Sequence, residues 1–215
     1  MSRIIKDIDY SLKFYPKLNR VQKDGLVSVS GEIPIVHSQM GEIDKYEVLI
    51  NFPNEFPNCF PKVIETSNKI PRIADRHVNI DNTLCLAVLP EELAVCKNGI
   101  SFKFFLDKVL VPHLARETYR DQTGKYPDGE FGHGFEGVWE YYEEILSQKN
   151  RMLIISELEQ IVYSNWPGRN SECSCGSGIK FKKCHYRIWS KIIRPGREFV
   201  LKILTLLKKQ LNEQN

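Results

Sequence analysis

Apolar residues recur at helical spacing at the start of the chain, where Ile4, Ile5, Ile8, Leu12 and Tyr15 share a face and Pro16 closes the run. That spacing predicts an amphipathic helix over 3–15. The period then changes to that of strands. Val27–Ile35, Tyr46–Phe52 and Lys62–Thr66 are short runs rich in β-branched and aromatic residues, parted by Gly and Pro turns, and predict three or four antiparallel strands in a meander.

From Val78 to Asn98 no period is visible, and an irregular stretch of that length inside a domain points to function or disorder. Phe102, Phe105, Leu106, Val109, Leu110 and Leu114 then mark a helix bent near Pro112. A loop over 123–134 leads to helical spacing at Phe135–Leu146 and again at Met152–Tyr163. The break Asn165-Trp-Pro-Gly168 is the expected boundary between a domain at 1–165 and a tail at 166–215. In the tail Phe199, Val200, Ile203, Leu204, Leu207 and Leu211 form an apolar helical stripe, expected to pack on its own domain rather than on a membrane. The predicted fold class is α+β.

Charge divides the same way. Residues 166–215 hold 11 Lys/Arg against 3 Asp/Glu, leaving 19 against 24 for the rest of the chain. Such an excess suits a solvated surface, an acidic protein face or nucleic acid, and charge does not choose among them. No run of about 18 apolar residues exists and the first ten residues are interrupted by charge, so a soluble, intracellular protein is expected. Six cysteines without an export signal suggest a reducing compartment, one metal site and separate thiols.

Cys173, Cys175, Cys184 and His185 supply three sulfurs and an imidazole in the pattern C-x-C-x₈-C-H, with Gly176 and Gly178 in the turn between the pairs. Two close ligand pairs around a tight turn can close a tetrahedron on zinc with no position left open, which makes the expected zinc structural. The stretch resembles the SEC-C motif, the small zinc ribbon at the end of the SecA translocation motor. That resemblance implies a structural site on a docking element.

Of the other thiols, Cys59 between two Phe-Pro corners and Cys96 are expected as inert core residues. Cys85 has different company. Asn79, six residues earlier, could donate its amide to an oxyanion at an adjacent thioester, and His77 is expected to brace the turn. The order of Phe52-Pro53, Phe56-Pro57, Pro61, His77-Val78-Asn79 and Leu84-Cys85-Leu86, after a helix and a meander, resembles the ubiquitin-conjugating enzyme fold over about residues 1–115. Val78 stands where that family has proline, and the gap from Asn79 to Cys85 is two residues shorter than in the eukaryotic enzymes. These departures resemble the prokaryotic branch, as does Gly132-His-Gly-Phe-Glu-Gly-Val-Trp-Glu-Tyr-Tyr-Glu143.

The resemblance implies a bacterial, cytoplasmic transferase with Cys85 as the thioester nucleophile. It further implies a role in antiphage signalling of the CBASS type, where a conjugating enzyme modifies the C-terminus of a partner cyclic-oligonucleotide synthase (a CD-NTase). Deprotonation of the acceptor amine could fall to His133, Asp128 or Glu130. The rival expectation is a catalytically silent module of the same fold that recruits partners through its zinc ribbon. Neither a membrane nor nucleic acid is expected as a partner.

Overall fold

A computed structural model describes residues 2–23, 26–127 and 131–213. The chain forms two compact units, one spanning Met1–Ala87 and Asn98–Glu130, the other Val88–Lys97 and Phe131–Asn215.

The first unit opens with helix α1 (Ser2–Leu12), followed by β1 (Leu18–Lys23), β2 (Leu26–His37), β3 (Gly41–Asn51) and β4 (Lys62–Glu65). The strands form one antiparallel sheet in sequence order. Alternation places Val29, Ile33 and Ile35 of β2, Tyr46, Val48 and Ile50 of β3, and Val63 of β4 on the buried side, as the two-residue strand period requires. Register joins them across the sheet, with Val29 opposite Ile50 and Ile50 opposite Val63. Gly31 of β2 lies close against the backbone just before β1. Its φ is +141°, and a Cβ there would lie 2.1 Å from the Lys17 carbonyl oxygen, so a side chain is excluded. Pro34 sits on β2 beyond the end of its pairing with β1, where a missing N–H costs no ladder bond on that side.

After the sheet come α3 (Phe102–Phe105), a π turn (Leu106–Leu110) and α4 (Val111–Thr123), which run on from one another. Pro112 cannot donate to the helix and its ring crowds the carbonyl four residues back; the widened turn before it is where the bend predicted near Pro112 is absorbed. Asp7 of α1 accepts from the Phe102 N–H at 2.7 Å and Ser101 accepts from Phe104 N–H at 3.1 Å, capping the N-terminus that α1 packs against.

The second unit gathers α2 (Leu89–Cys96), α5 (Phe135–Leu146), α6 (Arg151–Tyr163), α7 (Tyr186–Ile192) and α8 (Arg197–Glu213). Trp139, Tyr142, Ile154, Leu158, Ile161, Phe181, Trp189, Val200, Ile203 and Leu207 form one buried core. Asn150 caps α6 by accepting from Met152 N–H at 2.9 Å and Leu153 N–H at 3.2 Å. The α8 stripe packs within this unit, although Phe199 at its start is exposed.

The structure therefore divides the chain differently from the expected boundary at 165/166. The apolar faces of α5 and α6 are covered by α8 and by the aromatic residues of the cysteine-rich segment, so the tail shares a core with the two helices before it. Three elements escaped the periodicity reading. Strand β1 reads Leu-Asn-Arg-Val-Gln-Lys with little alternation, α2 is a short helix inside the stretch expected to be irregular, and α7 is a helix of 7 residues directly after the ligand pattern. Among the described residues no helix is long and apolar enough to cross a membrane.

Candidate functional site

Cys85 follows a small hairpin built on a sharp turn. A 3-10 turn at Ala74–Arg76 ends on His77 in the left-handed region, φ 50° and ψ 41°. Val78 then pairs with Leu84, Asn79 N–H donates to Thr83 O at 2.8 Å, and Asn82, also left-handed, donates to Asn79 O at 2.9 Å. Leu84 N–H donates to Val63 O at 2.8 Å, fastening the hairpin to β4, and Cys85 N–H donates to the His77 carbonyl at 2.6 Å. Cys85 is half-buried at the base of the hairpin, and Ile80 at its tip is fully exposed.

The Asn79 amide is engaged locally, donating to Thr83 Oγ1 at 3.1 Å. Thr83 in turn donates through both N–H and hydroxyl to Asp81, at 3.1 and 2.6 Å, and the hydroxyl bond leads the effects that hold the Asp81 carboxyl below its ordinary range. His77 packs its ring against Tyr126 and His113, with centroids 5.4 and 6.3 Å apart. Burial, followed by the nearby His77 and Arg116, pushes His113 down to about 3, so it is neutral and its buried Nε2 has no hydrogen-bond partner.

Beneath the turn lies a buried ionic network. Arg76 donates from Nε and Nη2 to Glu117 Oε2 at 2.9 and 2.7 Å and from Nη2 to Asp121 at 2.6 Å. The Tyr126 hydroxyl donates to the other Glu117 oxygen; burial, then that bond, pushes Tyr126 up to about 12. Arg120 lies over the Tyr126 ring at 4.6 Å and donates to the Asp75 carbonyl. No sequence pattern announced Arg76 or Glu117, because they are 41 residues apart.

His133 is half-buried and belongs to the second unit, whereas Cys85 belongs to the first. Asp128 and Glu130 lie outside the described residues. Cys96 is fully buried as expected. Cys59 is only half-buried, a departure from the core position expected for it: the Phe-Pro corners on either side turn the chain along the surface, and Phe56 and Phe60 fill the core instead.

The four predicted ligands come together. The Sγ atoms of Cys173, Cys175 and Cys184 and a ring nitrogen of His185 all lie within 4.8 Å of one another. Cys173 and Cys184 Sγ are each 3.2 Å from His185 Nδ1, and Cys175 and Cys184 are 3.6 Å apart. A tetrahedral ion with sulfur at about 2.3 Å would space the sulfurs about 3.8 Å apart, close to the spacing found. Local backbone bonds set this geometry. Glu172 pairs with Lys180, Cys173 N–H donates to Ile179 O at 2.9 Å, and Gly176 and Gly178 take φ of +78° and +69°, which lets the turn close.

A 3-10 turn at Phe181–Lys183 then brings Cys184 round. Phe181 is wedged between Trp166 and Trp189, with centroids at 6.0 and 5.3 Å, fixing the hairpin on the core of the second unit. The Ser177 hydroxyl leads the hydrogen bonds that pull the Cys175 thiol down to about 6, and thiolate is the form that ligates metal. Behind His185, Glu157 Oε1 of α6 stands 4.0 Å from Nε2; at 28 residues' distance in sequence it carried no signal.

Fold and site together define an α+β protein with a Cys₃His cluster able to hold a metal ion such as zinc. The sequence pattern of the SEC-C motif matches residues 169–187, which contain all four ligands. Compared with curated proteins and with solved structures, the chain matches none.

Proposed function

We propose that the protein is a bacterial ubiquitin-conjugating-like enzyme. In this reading Cys85 forms a thioester with a protein C-terminus and passes the acyl group to an amine, and Cys173, Cys175, Cys184 and His185 hold a structural zinc. The observation that carries the proposal is the partly exposed Cys85, anchored through its own N–H at the base of a hairpin that follows a helix and a four-stranded antiparallel meander. A half-buried thiol is in part open to solvent, and in this reading the incoming peptide end approaches from that side. A thioester divides acyl transfer into two easier steps.

In the first step the Cys85 thiolate attacks an activated carboxyl terminus and the activating group departs. In the second an amine attacks the thioester carbonyl and the thiolate leaves, with the amine proton passing to a base or to water. Asn79 is the proposed oxyanion donor; its Nδ2 must leave Thr83 Oγ1 or share its second proton. The proposed substrate is the C-terminus of a cyclic-oligonucleotide synthase in CBASS-type antiphage defence, in the cytoplasm. The engagement of Asn79 with Thr83 favours the second reading, a catalytically silent module of this fold whose zinc hairpin recruits partners.

The two readings separate on trapping. In cells with the partner genes, the conjugating enzyme gives a thiol-sensitive adduct mapped to Cys85 by mass spectrometry. Cys85→Ser converts it to a thiol-resistant ester and Cys85→Ala abolishes it. An adduct that persists on Cys85→Ala removes Cys85 as nucleophile, and no adduct on any form favours the silent module.

A further inference from the structure

The metal cluster draws its four ligands from one short segment, but the atom behind its imidazole comes from elsewhere. His185 turns Nδ1 toward Cys173 and Cys184, each sulfur 3.2 Å away. Its Nε2 therefore faces the opposite way, and there Glu157 Oε1 of α6 lies at 4.0 Å. Side-chain exposures of 28% and 27% put the pair at the rim of the second unit's core, where a carboxylate–imidazole contact is only partly screened by water. Trp189 of α7 packs beside the same imidazole: it is 2% exposed, its ring centroid is 6.2 Å from that of His185, and its buried indole N–H has no hydrogen-bond partner.

An imidazole that ligates through Nδ1 must be neutral and must carry its proton on Nε2. A carboxylate that accepts that proton orients the ring and makes the coordinating nitrogen more basic. We propose that Glu157 is a positioning residue of the metal centre: it accepts the His185 Nε2–H, directly after a small side-chain movement or through one bridging water. The inference rests on the zinc reading of the cluster. It also gives α6 a task beyond packing, because the ligand hairpin is then tied to that helix through His185 as well as through the aromatic residues around Phe181.

The test is a double-mutant cycle on zinc affinity, measured on the full chain by competition with a chromogenic chelator. Glu157→Ala should weaken zinc binding about 10–100-fold while leaving one metal per chain at saturation, and Glu157→Gln should fall between. In a His185→Cys background the fourth ligand is a thiolate with no Nε2–H, so Glu157→Ala should then change affinity less than about threefold. Equal affinities for the native chain and Glu157→Ala overturn the inference and leave the zinc site standing. The same loss in both backgrounds also overturns it, since Glu157 would then serve only the fold of α6. A native chain that binds no zinc removes the site and the inference together.

Discussion

Removal of Arg76 should strongly destabilise the first unit, and the size of the effect follows from its partners. Glu117 has no exposed side-chain surface and receives two bonds from Arg76, at 2.9 and 2.7 Å. Arg76→Met keeps the length and apolar bulk of the side chain but leaves that carboxylate buried opposite only the Tyr126 hydroxyl. Loss of one partner from a buried pair costs about 3–5 kcal/mol. Asp121, whose side chain is 41% exposed, adds no more than about 1 kcal/mol.

Fluorescence is the wrong assay, because Trp139, Trp166 and Trp189 all lie in the second unit. Amide hydrogen exchange of β2 and β3, read by mass spectrometry, reports the first unit directly. At 1.36 kcal/mol per tenfold, protection there should drop by roughly two to three and a half orders of magnitude. Adding Glu117→Gln to Arg76→Met should restore part of it, because the buried charge is gone. A loss of less than about tenfold in Arg76→Met, or a double variant as weak as the two losses added, refutes the assignment of this pair as the support beneath the Cys85 turn.

Two further outcomes concern metal and pH. The purified protein should contain about one zinc per chain, and chelation should lower the melting temperature of the second unit and change its tryptophan emission, because Trp166 and Trp189 pack on Phe181 beside the ligands; full zinc retention after Cys173→Ser and Cys184→Ser together rules the site out. His113 is held to about 3 in the folded chain against about 6.5 when unfolded. Its contribution is therefore whole above pH 6.5 and is lost as pH falls toward 3, at up to about 1.4 kcal/mol per pH unit; His113→Leu should flatten the pH dependence of β2–β3 exchange between pH 6 and 4, and an unchanged slope argues against the burial of a neutral ring.

The first helix, three of the four strands and the two helices at 135–146 and 152–163 were legible because each buries one face, and burial of one face leaves a period in the sequence. Strand β1 pairs along only one edge, with β2, and its apolar residues need not alternate, so it left no period. Helix α2 has buried Pro90 and Cys96 at its two ends, too few positions to show one. The metal ligands were legible for another reason: their geometry is made by hydrogen bonds within about a dozen residues, such as Cys173 N–H to Ile179 O, so spacing in sequence and distance in space carry the same information.

Local chemistry, then, is what the amino-acid order determined alone: the α+β character, the Cys₃His cluster and the isolation of Cys85 from other thiols in sequence. Only the tertiary structure decided which helices share a core with the tail, that Arg76 and Glu117 meet beneath the Cys85 turn, that the Asn79 amide is engaged by Thr83, and that Glu157 stands behind His185. Ion pairs and packing partners across long loops depend on where whole elements come to rest. Loop closure separates that arrangement from sequence distance, because doubling a loop's length adds only about 0.6 kcal/mol to the entropy of bringing its ends together.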